Sequence, residues 1–106
     1  MKILIQFTNL DSTPAITEYV EEKIGSLARF LKRWDKDDTI EAQIELGRPS
    51  GHHHKGPVYR AEVNLHLPGK SLRAEHTDWD IRVAIDRVRE RLQTEVKKYK
   101  ELRTKK

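Results

Sequence analysis

Three consecutive histidines, His52, His53 and His54, stand between glycines in the stretch GHHHKGP, Gly51 to Pro57. Imidazoles can ligate a metal, pass protons in catalysis or contact a polyanion. A tetrahedral zinc site wants three or four convergent ligands, often from separated positions. Neighbouring side chains on an extended loop point alternately apart, so at most two of these rings can share one ion. The chain has no cysteine, and His66 and His76 belong to strands whose sheet fixes their direction. A metal is not expected. Catalysis fares no better. Ser50, His53 and Asp38 supply the residue types of a nucleophilic set, but nothing in the pattern brings them together. A chain of this size also leaves little room for a buried pocket. Neither an enzyme nor a cofactor is expected. A plain flexible loop and a polyanion contact remain. The glycines allow close backbone approach, and Arg48 and Lys55 add charge. Imidazole, with an ordinary pKa of about 6.5, becomes partly cationic as pH falls. Between the two we read Arg48, His53, His54 and Lys55 as a loop facing a polyanion.

The elements around the loop must position it. The 106 residues suit one domain, 1–106, with a modest core and a loose basic tail over 102–106. The absence of cysteine removes disulfides and thiolate chemistry. The opening MKILIQFTNLD has only a short apolar run, broken by Gln6, and no stretch reads as a signal peptide or a membrane span. A cytoplasmic protein is the expectation. KILIQFT alternates, with Ile3, Ile5 and Phe7 on one side, as a strand does. Thr13 and Pro14 form a helix start, a capping hydroxyl followed by a residue that needs no backbone donor. The predicted first helix carries the apolar stripe Ile16, Tyr19, Val20, Ile24, Leu27, Phe30 and Leu31, weakened slightly at Gly25, and ends at RWDKDDT.

Three strands follow in TIEAQIELG, VYRAEVNLHL and, after the turn PGK, SLRAEHT. Their inward sets are Ile40, Ala42, Ile44, Leu46; Tyr59, Ala61, Val63, Leu65, Leu67; and Leu72, Ala74. A long second helix runs from about Trp79, capped by Asp78 or Asp80, with Ile81, Ala84, Ile85, Val88, Leu92, Val96 and Tyr99 on one stripe. The order β-α-β-β-β-α predicts an α+β fold. A four-stranded mixed sheet has its first two strands parallel, its last three in a meander, and both helices on one face.

Charge is unevenly spread. The whole chain has 21 Lys and Arg against 17 Asp and Glu, with a pI near 9.4. Residues 79–106 hold ten of the cations and five of the acids, so the net positive charge belongs to the second helix. On a helical wheel Arg87, Arg91 and Lys98 line one flank of its stripe, and Arg82, Arg89 and Lys100 the other. Asp86, Glu90 and Glu101 fall on the far side, near Lys97. Such cations either snorkel around a buried stripe or form a binding surface; their clustering favours the surface. Lys23 falls inside the apolar sector of the first helix. It either snorkels at the helix seam or completes a positive trough between the helices, which would suit the phosphates of RNA. The outward strand positions, Glu41, Gln43, Glu45, Arg60, Glu62, Asn64 and Glu75, offer no aromatic platform for stacking bases. RNA should meet the helical side or the loops.

Two separated runs carry a family resemblance. TPAITEYVEEKIGSLARFL resembles the T-P-A-L-x-E-Y-V-x-x-K-L-x-K-L of ribosome hibernation-promoting factors, also called ribosome-associated inhibitor or subunit-interface proteins. VNLHLPGKSLRAEHTDWDIRVAIDRVRERLQTEVKKYK is similar to that family's V-T-L-H-L-P-G-G-x-L-x-A-E, D-M-Y-A-A-I-D and K-L-E-R-Q-L-x-K-Y-K. The resemblance implies a domain like the double-stranded RNA-binding fold. It also implies a factor that binds the small ribosomal subunit in stationary or stressed cells, in the channel for messenger and transfer RNA, and silences translation. The matching basic positions are Lys23, Arg91, Lys97, Lys98 and Lys100; Arg87 and Arg89 rest on the wheel alone. Ile81 and Arg82 replace the methionine and tyrosine of D-M-Y, and the histidine loop is longer than the family's turn. The short chain resembles the short members.

The resulting expectation is a ribosome-silencing factor contacting rRNA through Lys23, Arg48, His53, His54, Lys55, Arg82, Arg87, Arg89, Arg91, Lys97, Lys98 and Lys100. Its partners are small-subunit rRNA and whole ribosomes, with no membrane and no small-molecule substrate, and it is a monomer off the ribosome. The alternative is a generic double-stranded RNA-binding module. An older family label, modulation of a transcription sigma factor, would require a protein partner, which a basic trough fits poorly.

Overall fold

The structure, a computed structural model, describes residues 1–48 and 58–104. Strand β1 spans Lys2–Thr8, helix α1 Pro14–Gly25, and strands β2, β3 and β4 Glu41–Gly47, Tyr59–Leu67 and Lys70–Asp78; helix α2 spans Ile81–Thr104. The sheet order is β1-β2-β3-β4. β1 runs parallel to β2, with Ile5 opposite Ile44, and the other two pairs are antiparallel. This is the α+β mixed sheet expected from the alternation.

One face of the sheet builds the core. Ala42, Ile44, Leu46, Ala61, Val63, Leu65, Leu72 and Ala74 are buried against Val20, Ile24 and Leu27 and against the α2 stripe from Ala84 to Tyr99. Tyr59 and the β1 residues Ile3, Ile5 and Phe7 are only half-buried. For β1 the reason is its place as an edge strand, where the layer above thins.

The helix starts follow local chemistry. The Thr13 hydroxyl accepts the Ile16 N–H at 3.3 Å, with Pro14 in the first turn. For α2 the cap is Asp80, whose carboxylate accepts the Arg82 N–H at 2.9 Å, while Asp78 instead accepts the Asp80 N–H. The expected first helix is cut short. α1 stops at Gly25, and Ser26–Phe30 continues as a 3-10 turn. Tightening from 3.6 to about 3 residues per turn still keeps Leu27 and Leu31 buried.

The other end of the chain also differs from expectation. The helix continues through Leu102 and Arg103 to Thr104, so the tail predicted to begin at residue 102 is helical that far. The turn between β3 and β4 holds it. Gly69 sits at φ 76°, in the left-handed region that Pro-Gly turns require. The exposed carbonyl of Pro68 accepts both the Tyr99 hydroxyl, at 2.8 Å, and the Arg103 guanidinium.

Gly47 is needed for closeness, not for an unusual φ. A Cβ there would lie 2.6 Å from the Thr8 carbonyl oxygen, on the backbone of the parallel neighbour. Backbone cannot yield as a side-chain tip can. Gly47→Ala is expected to destabilise the domain by about 1–3 kcal/mol, read as a lowered midpoint in thermal unfolding.

Candidate nucleic-acid interface

The two faces of the domain differ in how their charges are used. On the open face of the sheet, Arg60 contacts Glu62 at 2.9 Å and Glu75. Arg73 contacts Glu62 at 2.8 Å and Glu75 at 2.7 Å. Arg73 first, then Asn64 and Arg60, hold the Glu62 carboxyl below its usual range against the opposing effect of burial. This grid consumes its own charge.

The helical side is different. Arg87 and Lys98 pair within α2, with Glu90 at 3.1 Å and Glu95 at 3.4 Å. Arg82, Arg89, Arg91, Lys97 and Lys100 have no ion pair among the described residues. Arg82 lies over the Tyr19 ring, 5.5 Å from its centroid. Arg89 donates to the Ser26 hydroxyl at 3.0 Å and to Gln93, bridging α2 to the 3-10 turn. Arg91 is exposed on the flank that also holds Arg87 and faces His76. Arg48 lies apart from these, at the end of β2, with its guanidinium 5.7 Å from the Tyr59 centroid. His53, His54 and Lys55 lie outside the described residues. Among the described residues no cluster of His, Asp and Glu could hold a metal ion.

The positive trough between the helices is corrected by Asp86. The wheel set this residue on the far side, but a wheel treats a helix alone. Packed on α1, α2 turns Asp86 into the seam, where it accepts the Tyr19 hydroxyl at 2.7 Å and lies 3.6 Å from the Lys23 ammonium. Glu22 and Glu90 line the same groove with Lys23 and Arg89. With three carboxylates against two cations, the groove is not positive. Lys23 lies 5.5 Å from the Tyr19 centroid, so its stem follows the seam while its head pairs there.

Burial first, and then the bond to Asp86, push the Tyr19 phenol up to about 12. The folded state therefore favours neutral Tyr19. Its contribution is complete below pH 10, the ordinary value, and is lost as pH rises through about 12. One tyrosine should ionise near pH 12 by tyrosinate absorbance, and Tyr19→Phe should remove that step.

Sequence reading missed a second group of cations. After α1 the run RFLKRWDK contains Arg29, Lys32, Arg33 and Lys36. Arg29 lies 4.9 Å from the Phe30 centroid, and Arg33 lies 5.5 Å from that of Trp34. Lys100 from α2 sits 5.7 Å from both rings. Trp34 in turn meets Tyr99 edge-on at 6.0 Å. The signal was present as aromatic residues between basic ones. It was read only as apolar stripe followed by helix end.

Residues 3–104 match the model of the family described as Sigma 54 modulation protein / S30EA ribosomal protein. A ribosome hibernation promotion factor of Lactococcus lactis subsp. cremoris is 35% identical over 105 residues, covering 94% of this chain and 50% of the relative. That of Staphylococcus aureus is 34% identical over 92 residues, 87% of this chain and 44% of the relative. The chain thus spans about half the length of these curated relatives. The Protein Y N-terminal domain of Thermus thermophilus superposes with a TM-score of 0.73 at 35% identity, over 93% of this chain and 99% of that one. A ribosomal subunit interface protein from Coxiella burnetii gives 0.67 at 25% identity, over 94% and 98%. The sequence match along nearly the whole chain, with which the path of the backbone agrees, shows that the chain belongs to the Sigma 54 modulation protein / S30EA ribosomal protein family, the family of the ribosome hibernation factors.

Proposed function

We propose that this domain binds the RNA of the small ribosomal subunit, in the channel that messenger and transfer RNA would use, and silences translation by occupying it. The observation that carries this reading is the set of cations on the exposed sides of α2. Arg82, Arg91, Lys97 and Lys100 are not consumed by ion pairs among the described residues, whereas on the sheet's open face Arg60 and Arg73 are both paired with Glu62 and Glu75. A surface kept cationic on a folded domain favours a polyanionic partner. The printed names of the relatives, ribosome hibernation promotion factors and a subunit interface protein, support the ribosome as that partner. No helix among the described residues is long and apolar enough to cross a membrane. In this reading the protein works in the cytoplasm as a monomer off the ribosome, without catalysis.

Co-sedimentation with purified small subunits across a salt series tests the proposal. With about four phosphate contacts, log K should fall with log salt at a slope between roughly −2.8 and −3.6. Saturable binding with that slope is the expected result. No binding at low salt by folded protein would sink the ribosome reading, and equal affinity for free RNA duplex would replace it with a generic duplex-binding module.

A further inference from the structure

The aromatic and basic cluster beside the 3-10 turn shares Lys100 with the cations of α2 and adds Arg29, Arg33 and the Phe30 and Trp34 rings to it. A groove of about 460 Å³ opens next to it, lined by Phe30 and Val96 on its apolar floor and by Gln93, Thr94, Lys97 and Lys100 above. Glu90, Glu101 and Thr104 also line it, the first of them engaged by Arg87. The volume lies within the range of about 300–1,000 Å³ typical of small-ligand sites. Phe30 is half-buried: one part of the ring packs on the core and another faces the groove. A half-exposed ring ringed by cations has two unsatisfied preferences, for a flat partner and for an anion. A nucleotide supplies both.

We propose that this groove takes one unstacked nucleobase of single-stranded RNA, its face against Phe30 and its phosphate at Lys97 and Lys100. This reading rests on the RNA-binding function above and names the kind of RNA that the Phe30 end of the domain takes. In the free protein Lys100 covers the Phe30 and Trp34 rings at 5.7 Å. On binding it exchanges ring faces for phosphate oxygen, while Arg29 stays over Phe30. Stacking is tolerant of sequence because every base has a π-face. A duplex hides its bases and cannot use the groove. Charge complementarity favours this occupant over an apolar peptide, since Arg29, Arg33, Lys97 and Lys100 are all without an ion pair among the described residues.

The test compares a ten-nucleotide mixed-sequence single-stranded RNA with the duplex of the same sequence. Phe30→Leu keeps an apolar side chain on the core but removes the π-face. It should lower single-strand affinity roughly ten- to hundredfold, leave duplex affinity unchanged, and leave the salt slope unchanged because no phosphate contact is lost. The exposed Lys97→Gln should lower single-strand affinity and flatten that slope by roughly one contact. It guards against a result caused by misfolding of the core variant. In a Trp79→Phe background, Trp34 fluorescence should change on adding the single strand and not on adding the duplex. Wild-type single-strand affinity in folded Phe30→Leu, or equal losses for both RNAs, overturns the proposal. Small-subunit binding measured alongside separates the two failures. If subunits bind normally while Phe30→Leu is silent, only the groove reading falls. If wild-type protein binds no subunit, the function falls first.

Discussion

Reversing Arg91 and Lys98 to glutamate together is expected to weaken binding to small ribosomal subunits by at least about a hundredfold at low salt. Each change removes a cation from the α2 flank and sets an anion in its place, so the local charge swings by four. A loss of about 3 kcal/mol for the pair is modest for charges facing a polyanion and already corresponds to more than a hundredfold. Lys98 adds a second effect. Its partner Glu95, 3.4 Å away, would then face another carboxylate on the same side of the helix. The salt slope should also flatten by roughly two contacts. Both side chains are exposed, so the unfolding midpoint should stay close to that of the parent. Unchanged subunit affinity in the double variant would remove this flank from the interface.

The largest stability effect is expected at Leu92. It is fully buried at the middle of the α2 stripe, between Val88 and Val96 and over the sheet. Leu92→Ala should cost about 2–5 kcal/mol, a large share of the roughly 5–15 kcal/mol available to a small domain. In urea the midpoint should fall while the slope m stays the same. Leu102→Ala is the matched control. That side chain is 69% exposed on the same helix, and its removal should change stability by no more than about 0.5 kcal/mol. Similar effects at both positions would contradict the packing.

These two leucines also show where the sequence was readable. A period of 3.6 residues separates Leu92 from its exposed neighbours, and a period of two separates Val63 from Glu62. Both patterns are local properties of one element. Features that need two elements were harder. Asp86 looked solvent-facing because a wheel cannot show that Tyr19 and Lys23 approach from α1. Helix α1 was expected to continue past Gly25, since its apolar spacing tolerates the change to a 3-10 turn that keeps Leu27 and Leu31 inside. The ring and cation cluster was missed for a related reason. Phe30 and Trp34 belong to one segment, but Lys100 reaches them from seventy residues later. For the site, the cations of α2 were legible by clustering alone. Arg87 and Lys98 pair within the helix, a balance only coordinates reveal.

The self-paired grid of Arg60, Glu62, Arg73 and Glu75 bears on how the molecule arrives, as well as on where it binds. One broad side holds Glu41, Glu45 and this self-paired grid, with no excess of cations, while the other carries the positive surplus. In a negative field such a body is turned before it touches, and more of its collisions begin with the helices leading. The association rate constant should therefore respond to ionic strength more steeply than the dissociation rate constant does. Placing lysines at Glu62 and Glu75 would remove that orientation without touching α2. The added charge would quicken encounters yet make more of them unproductive.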